Sequence, residues 1–252
     1  MESGWSHFEA REYDPVIGRW LVPDPARQFS SPYNGMGNNP IKAVDPDGRK
    51  IKTTFRTGFL GIFGPKQTLT YDNQNGQWLD QNGSAYTGKI RNFQVNLLSD
   101  LNTLSADKDA GSMINYLSSD SRVLSINRGG DFFNGPKAVL GVFELSVSGN
   151  GPSSSYNQNG DPTPIPSFVT LGHEMQHAYQ FMKFGDGLFR QQWYQGPNGT
   201  PITNAEIPAT HLENQIRANN KLPLREFYEP GNSASRIIHQ NTRQSVYFHF
   251  TY

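Results

Sequence analysis

Cysteine is absent from this chain of 252 residues. Its absence excludes disulfide bonds, zinc sites built from thiolates, and catalysis by a cysteine nucleophile. Charge of one sign is not in excess either, because 22 Lys and Arg residues balance 22 Asp and Glu residues. This balance argues against binding to nucleic acid or to an anionic membrane through overall charge. We therefore expect neither a nucleic-acid nor a membrane partner.

Long apolar runs are also missing. The longest stretches, such as residues 138–143, are far shorter than the roughly 20 residues that a bilayer-spanning helix needs. The first residues, MESGWSHFEAREYD, lack the apolar segment of a secretory leader, so we expect no signal peptide in this chain. Hydrophobic residues make up 35% of the sequence, which is enough for a core but leaves much of the chain for loops.

The character of the sequence changes twice, which divides the chain into residues 1–49, 50–88 and 89–252. The first part is rich in Pro, Gly, Asn, Asp and aromatic residues, and its Asp-Pro and Asn-Pro pairs favour turns between short strands. In the second part, polar and apolar residues alternate in pieces over 51–59, 67–73 and 76–80. This alternation predicts strands joined by hairpin turns.

Residues 89–252 show helical and strand periodicities in turn. Apolar spacing predicts helices over 93–104, around 113–117, from about 166 to 185, and over 209–219. Strands are predicted over 123–126 and 138–147, with a Gly-, Ser- and Asn-rich loop over 148–165. The final residues, VYFHFTY, alternate like an edge strand.

The sequence HEMQH occupies residues 173–177 within the third predicted helix. Its histidines, His173 and His177, are one helical turn apart on one face, so that two imidazole nitrogens can share a zinc ion. Glu174 can then accept a proton from a water molecule at the metal. The apolar flanks FVTL and AYQFM suit a buried helix, and Gly172 allows another group to approach closely. The pattern predicts a catalytic zinc centre.

A catalytic zinc site needs a third protein ligand in addition to a water molecule. Metzincins take a further histidine shortly after this motif, but Gln180 and Lys183 stand where that pattern requires Gly and His. Glu206, 29 residues after His177, would complete a site of two histidines and one glutamate.

Three other downstream side chains compete with Glu206 for the role of third ligand: His211, Glu213 and Asp186. His211 could instead support a ligand without touching the metal, or form a hydrogen bond within its helix. Glu213 could face solvent, pair with a basic side chain, or orient a ligand imidazole.

The segments GHEMQHAYQ and AEIPATHLENQIRANNKLPLREFY together resemble the zincin family of bacterial effector metallopeptidases, over about residues 93–228. The resemblance implies an α+β, zincin-like domain with a mixed sheet and an HExxH active-site helix. It also implies a Zn²⁺ cofactor held by His173, His177 and Glu206, in an endopeptidase that acts on a protein or peptide. The family usually has an acidic residue before this glutamate, whereas this chain has Ala205 there.

Clostridial neurotoxin light chains have a similar layout and use an Arg-x-x-Tyr pair to stabilise the oxyanion. Arg225 and Tyr228 have that spacing. The resemblance implies catalytic roles for both of them, beside Glu174 as the base. From the residues alone, the alternative is an exposed arginine and a packed tyrosine after Pro223.

The segments EAREYDPVIGRWLVPDP and SPYNGMGNNPIKAVDPDGR resemble the C-terminal end of the RHS-repeat-associated core, the shell that encloses polymorphic toxins. The resemblance implies that residues 1–49 are a remnant of that core and that a toxin domain follows. Such a toxin is secreted or delivered into a target cell by a larger apparatus. A cognate immunity protein is then a candidate partner.

In that family a Pro-x-x-x-x-Asp-Pro-x-Gly motif marks self-cleavage by an aspartyl mechanism, and Pro40, Asp45 and Gly48 fit this motif. Arg49 replaces the usual leucine, and the upstream Asp24 lacks the glycine that accompanies a second carboxylate. We therefore expect Asp24 and Asp45 to be turn residues.

Motif and resemblances together predict a monomeric zinc endopeptidase, the C-terminal toxin or effector domain of an RHS-type protein. A non-enzymatic binding module, stabilised by zinc or derived from the shell, is the main alternative. A metal-dependent hydrolase of non-peptide bonds is a second one.

Overall fold

The computed structural model describes residues 6–8, 11–14, 19–21, 51–58, 63–120, 122–136, 141–148, 154–156, 162–196, 199–229 and 231–252. The residues of the self-cleavage motif, with Asp24 and Asp45, lie outside these ranges. Within them the helices are α1 (Asn92–Ala106), α2 (Gly111–Ser119), α3 (Ser167–Phe184), α4 (Gly187–Arg190) and α5 (Glu206–Asn219). The strands are β1 (Ser6–Phe8), β2 (Arg11–Asp14), β3 (Arg19–Trp20), β4 (Ile51–Arg56), β5 (Lys66–Asp72), β6 (Gln77–Leu79), β7 (Val123–Arg128), β8 (Phe132–Pro136), β9 (Val142–Val147), β10 (Ser154–Tyr156), β11 (Pro162–Pro164), β12 (Gln192–Gln195) and β13 (Pro201–Thr203).

A six-stranded mixed sheet with the strand order β6-β5-β4-β7-β9-β8 organises the fold. Strand β7 runs parallel to both β4 and β9, and the outer pairs are antiparallel. Strands β4, β5 and β6 come from residues 50–88, so the sheet joins the two parts that the sequence divides at residue 88. The predicted α+β class with a mixed sheet is confirmed.

The helices cover one face of this sheet and bury it. Alternate residues of β9 are buried, as a strand with one covered face requires, and they are Phe143, Leu145 and Val147. Helix α1 turns a stripe of leucines at helical spacing toward the same core, and α3 packs against α1, α2, β8 and β9. Helix α3 therefore lies between the sheet and α5, which packs on its other side.

Gly172 allows α3 to approach its neighbours closely. A Cβ atom at this position would lie 2.5 Å from Cδ1 of Ile216 on α5 and 3.1 Å from Cδ2 of Leu104 on α1. Real side chains do not tolerate the first distance. The close approach expected at Gly172 is therefore an approach of neighbouring helices.

Helix α5 begins three residues earlier than predicted, at Glu206 rather than at residue 209. Pro208 occupies its first turn, where the missing N–H group of proline has no intrahelical partner to lose. The earlier start is important because it places Glu206 on a helix.

Other elements also differ from prediction. The final residues do not form an edge strand, and the described part of this segment contains only isolated bridges, such as that between Gln244 and Thr251. The predicted loop over 148–165 contains a short hairpin of β10 and β11. Strands β8, β12 and β13 were not predicted. In the described residues, none of the helices combines the length and apolar character needed to cross a membrane.

Candidate metal centre and active site

Helix α3 presents both histidines of the motif to the start of α5. His173 and His177 are 7% and 5% exposed, and their ring centroids are 5.0 Å apart. Glu206, the first residue of α5, places its Oε2 atom 3.1 Å from Nε2 of His173 and 3.2 Å from Nε2 of His177. Two helices packed side by side thus bring the two imidazoles and one carboxylate together. The position between these three side chains is called the metal point below.

These three side chains fit a zinc ion by ligand type and by spacing. One donor atom from each residue lies within 4.8 Å of the others, and among the described residues only this group meets that criterion. With zinc–ligand distances of about 2.0–2.1 Å, the edges of a coordination tetrahedron are about 3.3–3.4 Å long. The two measured nitrogen–oxygen distances are close to such edges. Two histidines and one glutamate also form a known catalytic zinc ligand set.

Glu213 orients the first histidine. Its Oε2 atom lies 3.1 Å from Nδ1 of His173, so the imidazole donates from Nδ1 to Glu213, and Nε2 is the ring nitrogen that can bind a metal. The carboxylate is 2% exposed and also pairs with Arg217 at 2.8 Å and Arg225 at 2.9 Å. Glu213 therefore contacts the ring nitrogen of His173 that lies away from Glu206 and His177, and it can orient this imidazole, which is one of the alternatives for Glu213 that the sequence left open.

The electrostatics of the cluster favour positive charge at this point. Burial opposes a charge on His173, but hydrogen bonds to Glu206 and Glu213 outweigh it and raise the pKa of His173 to about 10. Burial likewise opposes the ionised form of Glu206, yet hydrogen bonds from both imidazoles hold the pKa of this carboxyl well below its usual range. A divalent cation supplies the positive charge that such a cluster stabilises.

Glu174 follows His173 directly and is 9% exposed. Burial raises its pKa, the two histidines oppose this rise, and the charges of Glu206 and Asp131 add to it. A carboxyl with a raised pKa is a better proton acceptor than an ordinary one, which suits a general base beside the two histidines.

Arg225 and Tyr228 both reach this region. The Arg225 guanidinium donates to Glu213 at 2.9 Å, to the carbonyl of Phe227 at 3.1 Å and to the carbonyl of Tyr228 at 2.5 Å. Its side chain is only 16% exposed, so the alternative of an exposed arginine is wrong. The guanidinium carbon also lies 4.7 Å from the centroid of the Tyr228 ring. Arg225 thus ties Glu213 to the backbone that carries Tyr228.

The ring of Tyr228 stacks on His173, with centroids 6.3 Å apart and planes at 25°. Burial, and then the charge of Glu206 and a hydrogen bond to it, raise the pKa of Tyr228. The phenol therefore stays protonated and can donate a hydrogen bond beside the metal point.

The structure places two of the competing ligands elsewhere. Nδ1 of His211 lies 2.7 Å from the Tyr252 hydroxyl, and the imidazole stacks on the Phe248 ring with centroids 4.2 Å apart. Burial lowers the pKa of His211 to about 4. Asp186 accepts a hydrogen bond from Arg190 at 2.8 Å, and its side chain is 41% exposed. Of the four candidates, Glu206 meets both imidazoles.

Sequence reasoning missed two aromatic residues at the centre. Phe189 of α4 packs against His177 with centroids 5.9 Å apart, and Trp193 of β12 packs against Tyr228 at 6.0 Å. Neither residue belongs to a motif, and no signal in the sequence could have singled them out.

A family model, Peptidase_M91, described as an effector protein, matches residues 80–223. This range is more than half of the chain. The chain belongs to the Peptidase_M91 family. The matched range contains the motif helix, Glu206 and Glu213, while Arg225 and Tyr228 lie just beyond it. Membership in this effector peptidase family makes peptide-bond chemistry the starting point for interpreting the site.

One curated relative of this Peptidase_M91 member is Salivary gland surface protein 1 of Aedes aegypti. The two are 48% identical over 48 residues, which is 19% of this chain. The chain spans about 1% of the length of that protein. No solved structure matches the chain.

Proposed function

We propose that the chain is a zinc-dependent endopeptidase of the zincin type. The observation that carries this proposal is the meeting of His173, His177 and Glu206 at tetrahedral edge distances, with Glu174 beside them. Family membership supports the peptidase class, and the donor set supports zinc.

His173, His177 and Glu206 would hold the metal, with Glu213 fixing the orientation of His173. Zinc supplies Lewis acidity when bound, which polarises a carbonyl group and makes water a better nucleophile at neutral pH. Phe189 packs against His177 and Trp193 packs against Tyr228, and both rings would exclude part of the water around the site.

Glu174 acts as general base and then as general acid. It takes the proton from the attacking water and delivers it to the nitrogen of the departing amine. Its raised pKa suits both transfers. The Tyr228 hydroxyl donates to the oxyanion that forms at the carbonyl oxygen. We assign Arg225 a positioning role, because its donors are engaged by Glu213 and by the carbonyls of Phe227 and Tyr228.

An extended peptide fits the surroundings of this helix. Among the described residues, strand β8 is one of the two outer strands of the six-stranded sheet, and it packs against α3. A substrate segment can add to such an edge by backbone hydrogen bonds, which holds it along the helix that carries the metal ligands.

The resemblance of residues 1–49 to the RHS-repeat-associated core supports a biological setting for this enzyme. We propose that it is the toxin part of an RHS-type protein, acts as a monomer on a protein of the target cell, and has a cognate immunity protein. The effector description of the family agrees with delivery into another cell.

A peptide-library digest tests the function. The protein is loaded with zinc, and cleavage is measured before and after a chelator and again after zinc is restored. We expect cleavage that the chelator abolishes and zinc restores. The Glu174→Gln variant should bind one zinc ion per chain but lose about 10²–10⁴-fold in kcat, the usual contribution of a general base.

The competing functions give other outcomes. Zinc bound tightly with no cleavage of any peptide would support a binding module. Zinc-dependent cleavage of ester or phosphate substrates alone would support a hydrolase of non-peptide bonds. Normal peptide cleavage by the Glu174→Gln variant would remove Glu174 from its assigned role.

A further inference from the structure

Tyr228, the proposed donor to the oxyanion, lies in the connection that follows α5 and not in a regular helix or strand. Its backbone N–H donates to the carbonyl of Ser235 at 2.9 Å, and its own carbonyl accepts from Arg225 at 2.5 Å. These bonds fix the main chain, but the phenol still turns about two side-chain torsions. The position of the Tyr228 hydroxyl therefore depends on the side chains that pack against the ring.

Three side chains contact the Tyr228 ring. The His173 ring lies with its centroid 6.3 Å away, and the Arg225 guanidinium carbon lies 4.7 Å from the ring centroid. Both of these groups are held by Glu213. The third contact is Trp193 of β12, whose ring centroid is 6.0 Å away with the planes at 55°. Trp193 thus reaches the phenol from outside the Glu213 network.

The Trp193 indole is itself held by the C-terminal segment, residues 243–252. Its Nε1–H group donates to the Tyr247 hydroxyl at 2.9 Å, and the two rings meet edge to face with centroids 5.7 Å apart. The apolar part of the indole packs against a small buried cluster, which consists of Leu224, Ile237 and Ile238. An indole held at both its polar and its apolar parts has little freedom to move away from Tyr228.

Phe248, the next residue along the chain, connects the same segment to α5. Its ring stacks on His211 of α5 with centroids 4.2 Å apart, and this helix begins with the proposed metal ligand Glu206. Adjacent residues of one segment therefore contact both the helix that carries a proposed metal ligand and the indole beside the proposed oxyanion donor. Such a connection restrains the two groups relative to each other.

We propose that Trp193 and Tyr247 are positioning residues that hold the Tyr228 hydroxyl where the oxyanion forms. The inference rests on the proposed peptidase function and extends it from the metal ligands to the C-terminal segment. Tyr247 fixes the indole, and the indole limits rotation of the phenol. A donor that is held in place before the reaction stabilises the transition state without reorganising. A phenol that moves freely would therefore lower kcat, while substrate binding would change little.

Kinetics of the Trp193→Leu and Tyr247→Phe variants test the inference. Leucine keeps apolar packing but lacks the ring and its N–H group, and phenylalanine lacks only the hydroxyl that accepts from the indole. We expect kcat to fall about tenfold or more for Trp193→Leu. For Tyr247→Phe we expect a fall of about two- to tenfold, the factor that corresponds to one neutral hydrogen bond. KM should stay within about twofold in both, because the phenol donates in the transition state.

A double-mutant cycle shows whether both residues act through the phenol. Tyr228→Phe removes the hydroxyl and should lower kcat about 10²–10³-fold, as loss of an oxyanion donor does. When Trp193→Leu or Tyr247→Phe is added to Tyr228→Phe, kcat should fall by less than about a further twofold.

Tyr86→Phe is the matched control for Tyr247→Phe. It removes a tyrosine hydroxyl that lies 3.5 Å from the carbonyl of Lys89, next to strand β6, and it should keep full kcat. Zinc content and thermal unfolding show that all variants are folded and loaded.

The outcomes separate the inference from the function on which it rests. Unchanged kcat in Trp193→Leu, or equal losses of kcat with and without the Tyr228 hydroxyl, would overturn the inference and leave the zinc peptidase intact. A rise in KM at unchanged kcat would make Trp193 a substrate-binding residue and would also overturn it. A wild-type protein that binds zinc but cleaves no peptide refutes the proposed function, and the positioning role fails with it.

Discussion

A single buried carboxylate, that of Glu213, connects the proposed metal ligand His173 to the segment after α5. It meets an imidazole and two guanidinium groups, and it does so at 2% exposure. One negative charge thus compensates several positive ones in a region with little water. Such a charge is far more important to its partners than a surface ion pair, because each partner would otherwise be buried unpaired.

Glu213→Gln should therefore destabilise the protein and weaken zinc binding. Removal of one partner of a buried ion pair costs about 3–5 kcal/mol, and loss of a group that orients a ligand histidine lowers metal affinity about 10–100-fold. Denaturant unfolding and competition with a zinc indicator measure the two effects. Glu226→Gln is the control, since Glu226 pairs with Arg236 away from the histidines. Equal zinc affinity in both variants would contradict the orienting role.

Glu206→Gln should abolish tight zinc binding, because an amide oxygen is a poor substitute for a carboxylate ligand of zinc. His211→Gln should retain zinc, because His211 contacts Tyr252 and Phe248 rather than the other histidines. Zinc content after dialysis against a weak chelator, measured by elemental analysis, checks both expectations. If the Glu206 variant retained zinc and the His211 variant lost it, His211 and not Glu206 would be the third zinc ligand.

At the scale of elements, the site depends on how closely α3 and α5 pack. Their contact brings Glu206 and Glu213 to His173, and Gly172 sets its distance. The helix at 173–177 was predicted correctly because the flanks carry a clear apolar period. The start of α5 was missed because Pro208 resembles a helix boundary, although proline is well tolerated in a first turn.

The C-terminal segment shows a different reason for failure. Its alternation is real, since Phe248, Phe250 and Tyr252 all contact the His211 ring, with centroids 4.2, 5.2 and 5.3 Å away. Period two indicates that alternate residues face one side. The alternation does not say whether a neighbouring strand is available for pairing. In this structure the alternate residues pack against His211 of α5 instead of pairing with a strand. Such long-range pairings cannot be derived from local spacing.

Gly172→Ala should separate α3 from α5. The added methyl group would overlap Ile216, and overpacking of a core typically costs about 1–3 kcal/mol. Because the same movement displaces the histidines from Glu206, zinc affinity should fall together with the free energy of unfolding. Gly187→Ala is the control, since no atom lies within 4 Å of its Cβ position. Thermal unfolding and zinc titration of both variants test the coupling, and a stable Gly172→Ala protein with full zinc affinity would disprove it.

For the whole molecule, the sheet is the frame that holds the proposed site. Strands from residues 50–88 and from residues 89–252 form one surface, and α3, which carries His173 and His177, packs on it. The family match begins at residue 80 and so includes only part of this sheet. The sequence motif therefore predicted the histidines of the proposed metal site, whereas the packing of Phe189 on His177 and of Trp193 on Tyr228 emerges only from tertiary structure.

The carboxyl of Asp100 on α1 should make the stability of the whole molecule depend on pH. Asp100 has a pKa of about 6 in the folded protein against 3.8 for the ordinary side chain, since burial disfavours its charge. The native state therefore holds a proton that the unfolded chain has released. The contribution of Asp100 to the free energy of unfolding falls as the pH rises between these two values, and above about 6 the loss is complete.

Asp100→Asn removes this dependence because asparagine does not titrate. We expect the variant to match the wild type near pH 4 and to exceed it at pH 8, by an amount on the order of 1 kcal/mol after allowance for solvent screening. Denaturant unfolding of both proteins at several pH values measures the difference. Asp80→Asn is the control, since Asp80 accepts hydrogen bonds from the backbone of Asn82 and Ser84 in an exposed turn. A gain at pH 8 would show that the buried charge of Asp100 lowers the stability of the folded protein. A loss at pH 8 would show that the charge already has a partner in the free protein.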